Sequence, residues 1–91
     1  MEFEWDPEKA QNNLTKHGVS FDEAATVLGD PLAITIDDPD HSQNEQRFLT
    51  TGLSKRQRLI ILAHADRGGR VRIITAREAA PAERNQYESG K

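Results

Sequence analysis

"SFDEAATVLGDPLAITIDD", residues 20–38, changes its hydrophobic period half-way along, and that change decides the fold. The first half is helical. Ser20 and Glu23 have the spacing of a capping box, with Val19 and Ala24 placed for a small hydrophobic staple. Phe21, Ala24, Ala25, Val27 and Leu28 supply an apolar stripe, and Gly29 and Pro31 end it. From Leu32 onward the period is two, as in a half-buried strand. Helical patterns that give way once to a succession of strands belong to the α+β class.

Upstream, "EFEW" (2–5) alternates charged and apolar residues and predicts a short first strand. "DPEKAQNNLTKHG" (6–18) is punctuated as a helix. Asp6 can cap it, Pro7 suits its first position, and Glu8 complements the positive dipole end. Lys16 and His17 complement the negative end, and Gly18 can take the left-handed stop. Ala10, Leu14 and His17 share a face, and two helices this close in sequence must form a tight corner.

Downstream, strands are expected over 32–37, 45–52, 57–65 and 70–77, with "DPDHSQN" as a loop and "DRGG" as a hairpin turn. "RLIILAHA" (58–65) is apolar on both faces through its middle and predicts a central strand, with His64 near one end and no role assigned. "APAERNQYES" reads as a last short helix. Short links favour an antiparallel meander with two N-terminal helices and a short C-terminal one, in a single domain over 1–91.

With 91 residues the core must be small, and without cysteine neither disulfides nor thiolate metal sites are available. No apolar run approaches the roughly 20 residues of a membrane span, and the N-terminus lacks the regions of a signal peptide, so a cytoplasmic location is expected. The net charge of −3 conceals segregation: residues 1–46 sum to −9, 47–77 to +7 and 78–91 to −1. Either the basic stretch meets an anionic partner, or the acidic half compensates it after folding.

Strand alternation assigns the arginines to faces. Glu45, Arg47, Leu49 and Thr51 share one, opposite Phe48 and Thr50. In "RVRIITAR" (70–77), Arg70, Arg72, Ile74 and Ala76 oppose Val71, Ile73, Thr75 and Arg77, so Arg77 should start a loop or emerge at the strand's end. Guanidinium groups suit phosphate, which they grip by paired hydrogen bonds. Glu45 could orient Arg47 or take a proton; the plainer alternative is a surface ion pair worth about 0–1 kcal/mol. "DDPDH" (37–41) holds hard oxygens and one histidine, but no regular spacing fixes them, and an acidic loop is the expected state. Trp5, Phe21 and Phe48 are expected in the core rather than as base-stacking platforms.

Four segments in order, "FEWDPEKAQNNLTKHGVSFDEAATVLGDP", "EQRF", "RVRIITARE" and "ERNQYE", resemble the BrnT-type toxins of bacterial type II toxin–antitoxin systems over about residues 3–88. Thr75 stands where serine is more usual, which keeps the hydroxyl. The resemblance implies a RelE-like fold and an endoribonuclease that inhibits translation. It also implies a cognate BrnA-like antitoxin with a ribbon-helix-helix region, through which the pair reaches operator DNA. No metal or cofactor is expected. For attack of an RNA 2′-hydroxyl on phosphorus, Arg47, Arg72 and Arg77 are the candidates for charge stabilisation. Glu45 or His17 could be the base, His17 or Tyr87 the acid, and Lys16 and Arg70 RNA contacts. The rival is a non-catalytic module whose basic face grips an antitoxin or nucleic acid.

Overall fold

The computed structural model describes residues 1–38 and 45–89. Helix α1 (Pro7–His17) starts and stops where its punctuation does. Asp6 Oδ1 accepts hydrogen bonds from the N–H groups of Glu8 (2.8 Å) and Lys9 (3.4 Å). Gly18, at φ 69°, closes the other end by donating to the Leu14 carbonyl. Helix α2 (Phe21–Thr26) runs into a single 3-10 turn, Val27–Gly29. Only half of its capping box forms. Ser20 Oγ accepts from Glu23 N–H at 3.0 Å, but the Glu23 carboxylate turns away to Arg58 and Ser54.

The strands are β1 (Glu2–Glu4), β2 (Ile34–Asp37), β3 (Arg47–Leu53), β4 (Leu59–Arg67) and β5 (Arg70–Glu78), and α3 (Pro81–Ser89) follows. Their order in the sheet is β1-β5-β4-β3-β2. β2 to β5 form the expected antiparallel meander. β1 adds to the far edge in parallel, with Glu2 opposite Arg70 and Glu4 opposite Arg72, so the sheet is mixed. A three-residue strand has no hairpin partner to dictate its direction, and its place is set by where the helices leave an edge open.

α1 and α2 cover one face. Val19, Phe21, Ala24 and Val27 pack there on Ile60, Leu62, Ile73 and Ala76, and Trp5 meets Phe21 edge-on at 5.9 Å. β1 stops opposite Arg72, and beyond it α1 finishes the edge of β5. The buried Asn13 amide takes the part of a strand. It accepts from Ala76 N–H at 3.1 Å and donates to the Ala76 and Val19 carbonyls at 2.9 Å each. The opposite face of the sheet stays open along much of its length, with Ile34 and Ile36 exposed on the outermost strand.

Candidate functional site

β5 is not a regular strand. His64 pairs with Ile73 while Ala63 pairs with Thr75, which leaves Ile74 as an extra residue. A bulge of this kind resets alternation. Arg70 and Arg72 lie beside Arg67 and Ala65, and Arg77 beside Ile61, so all three share the open face with Arg47. The expectation that Arg77 lies opposite Arg72 is therefore corrected: two residues of the same face are separated by an odd interval because Ile74 takes up one position.

Arg47 and Arg72 flank Ala65 in one cross-strand row. Arg77 stands four β4 residues further along, about 13 Å at the usual strand rise. Each arginine already has a carboxylate. Arg72 Nη1 is 3.0 Å from Glu4, Arg47 Nε 3.6 Å from Glu45, and Arg67 Nε 3.3 Å from the other Glu45 oxygen. Arg70 lies 3.7 Å from Glu2. Arg77 forms a two-pronged pair with Glu83, at 2.8 Å on both sides. That grip, and an N–H donated by Ala80, pull the Glu83 carboxyl down to about 2. Exposed pairs of this type contribute about 0–1 kcal/mol, so an incoming phosphate can compete for the guanidinium groups.

The sequence-predicted site residues do not form one cluster. Glu45, Arg47, Arg72 and Arg70 gather at one end of the open face. Towards the other end lies a groove of about 410 Å³, walled by Ile34, Ile36, Leu49, Ile61 and Ala63, with Arg77 and Tyr87 at its margin. Lys16 and His17 line a second depression, between α1 and β5, together with Ile74. Thr75 lines both. The structure thus brings His17 and Lys16 to one side of Thr75 and Arg77 to the other.

Tyr87 is only 4% exposed, and its hydroxyl donates to Asp30 Oδ2 at 2.7 Å. The carboxylate beside it pushes the phenol up to about 12, and the bond ties α3 to the turn before β2. His64 is structural. It is buried, shares a hydrogen bond with Thr50 Oγ1 at 2.8 Å, and stacks on Phe48 at 5.7 Å, while burial lowers its pKa. Of "DDPDH", Asp37 and Asp38 are described, and the segment from 39 to 41 lies outside the described residues. Among the described residues, no group of three His, Cys, Asp or Glu side chains could hold a metal.

The family model for BrnT, the ribonuclease toxin of type II toxin–antitoxin systems, matches residues 5–83. The chain belongs to the BrnT family. The fold agrees with this. It is similar to the 1.1 Å crystal structure of the Brucella abortus ribonuclease toxin BrnT, with a TM-score of 0.65 and 23% identity, over 88% of this chain and 97% of that one. A comparison with curated proteins finds no match.

A BrnT toxin of a type II system has an antitoxin as its partner. The matched segment contains Lys16, His17, Glu45, Arg47, Arg72, Thr75, Arg77 and Glu83, and ends before Tyr87. The sequence alone did not point to Asn13 or Glu83, nor to the position of Thr75 between the two depressions. The signal for Glu83 was present in "PAER": Pro81 at the first helical position and a glutamate two residues later, whose carboxylate reaches back to Ala80 N–H at 2.8 Å. No local signal announces Asn13, whose partner Ala76 is 63 residues away.

Proposed function

We propose that this BrnT-family toxin is a metal-independent endoribonuclease that cuts RNA where the strand crosses Thr75, and so inhibits translation. The 2′-oxygen forms a bond to phosphorus as the bond to the 5′-oxygen breaks, leaving a 2′,3′-cyclic phosphate and a 5′-hydroxyl. One proton leaves the 2′-hydroxyl and another joins the 5′-oxygen. The observation that carries this reading is the Ile74 bulge: Thr75 beside it lines both depressions, with Arg77 lining one and His17 the other. His17 is the group for proton transfer and Arg77 the group for the charge on the phosphorane. Arg47, Arg72 and Arg70 serve neighbouring phosphates at the far end of the face. Glu45, held between Arg47 and Arg67, orients them and is the alternative base. Tyr87 acts through α3 as a positioning residue, because its proton is engaged by Asp30.

The antitoxin, proposed to be BrnA-like with a ribbon-helix-helix region that reaches operator DNA, silences the toxin by covering the open face. Purified protein incubated with RNA in EDTA should yield fragments ending in 2′,3′-cyclic phosphate. Expression without the antitoxin should arrest growth, and Arg77→Ala or Arg72→Ala should relieve the arrest. A second reading has one observation in its favour: each open-face arginine already has a carboxylate partner. A non-catalytic binding module predicts intact RNA under conditions where the protein is folded.

A further inference from the structure

Lys9 and Lys16 are the only lysines or arginines in residues 1–46, and both line the depression of about 260 Å³ between α1 and β5. They stand seven residues apart on one helix face, with Asn12 and Asn13 between them at the i+3 and i+4 positions. Asn13 spends its amide on the β5 backbone, whereas Asn12 is exposed. Among the described residues no carboxylate lines this depression, and none lies within ion-pair distance of Lys9, Lys16 or His17. The open-face arginines differ in this respect, since each has a carboxylate partner. Lys16 and His17 have a reason internal to the helix, because they sit at its negative end. Lys9 has none. It is the third residue of α1, where the unpaired N–H groups disfavour a cation.

We propose that this depression seats a backbone phosphate of the RNA strand, held by Lys9 and Lys16 with Asn12 as a neutral donor. The inference rests on the ribonuclease reading and extends it by giving the substrate a path. The strand passes from the α1 depression over Thr75 to Arg77, so the cut phosphate and a flanking one are held by different elements. Two ammonium groups without a carboxylate partner among the described residues suit this task, because neither must leave one of those carboxylates to meet the phosphate.

The test uses a fluorescently labelled 2′-O-methyl oligonucleotide, which has no nucleophile and stays intact. Its affinity is measured by anisotropy across a salt series for the intact protein, for Lys9→Gln/Lys16→Gln, and for Arg84→Gln, which removes an exposed cation of α3 outside the depression. Each phosphate contact on a single strand contributes about 0.7 to the slope of log affinity against log salt, so the double variant, which loses the one seated phosphate, should lose about 0.7. Its binding at low salt should weaken at least tenfold, while Arg84→Gln keeps the slope of the intact protein. The site is overturned if the double variant, folded by circular dichroism, keeps that slope and affinity, or if the intact protein does not bind the oligonucleotide. Cleavage of unmodified RNA is scored in parallel. Binding lost in the double variant without any cleavage by the intact protein upholds the seat and rejects the ribonuclease mechanism. Cleavage with binding unchanged in the double variant does the reverse.

Discussion

Asn13 and Tyr87 show how much a single polar side chain can carry when it is buried. Asn13 answers the N–H and carbonyl of Ala76, on the edge of β5 beyond the β1 pairing, and the carbonyl of Val19, in the link between α1 and α2. Asn13→Ala should destabilise the protein by about 3 kcal/mol in urea unfolding, because buried backbone groups are then left without partners. Tyr87 is the only tyrosine, so its titration can be followed by tyrosinate absorbance alone. Its midpoint should fall near 12, and Asp30→Asn should bring it back towards 10 by removing the charge that holds the phenolic proton. The sign is that of an acid whose folded pKa is raised. The stabilising bond is complete below pH 10 and is lost as pH rises through about 12. A midpoint at 10 in the intact protein would mean that the Tyr87–Asp30 bond is not made in solution.

At the scale of elements, two features position the candidate site. The first is the Ile74 bulge, which turns Arg77 onto the face that already holds Arg72. The second is the clip between α2 and the β3–β4 hairpin. Glu23, with its side chain 5% exposed, receives Arg58 through two guanidinium nitrogens, one of them Nε at 2.9 Å, and also the Ser54 hydroxyl at 2.7 Å. Arg58 donates in turn to the Gly18 carbonyl at the end of α1. These bonds hold the Glu23 carboxyl below its ordinary range against the opposing effect of burial. Arg58→Leu leaves that carboxylate buried with too few donors and should cost about 3 kcal/mol. Thermal unfolding checks the loss, which should shrink in Arg58→Leu/Glu23→Leu because the stranded charge is then absent.

Across the whole molecule, the segregated charges meet. The acidic N-terminal stretch sends Glu2 and Glu4 to Arg70 and Arg72, Glu23 to Arg56 and Arg58, and Glu45 to Arg47 and Arg67. Much of the apparent polarity of the sequence is therefore compensated by folding, as the plainer of the two expectations held, and an anionic ligand must exchange with carboxylates on the open face. Because most of these pairs are solvent-facing, raising salt from about 0.05 to 0.5 M screens them and should lower the melting temperature by a few degrees. A melting temperature that rises instead would show like-charge repulsion to dominate the fold.

The elements themselves were legible in the linear chain, because caps, stops and hydrophobic period act over a few residues. Asp6, Gly18, the change of period after Pro31 and the all-apolar centre of β4 each appear where local chemistry puts them. The resemblance to BrnT toxins was legible too, in motifs whose spacing survives outside the fold. Tertiary structure alone decided the parallel docking of β1, the bulge at Ile74, the edge filled by Asn13, and the placing of His17 and Arg77 in two depressions that share Thr75. Each of these depends on groups far apart in sequence competing for one sheet edge or one face. A period of two cannot tell where an extra residue will be taken up, because the bulge is settled by the strand beside it.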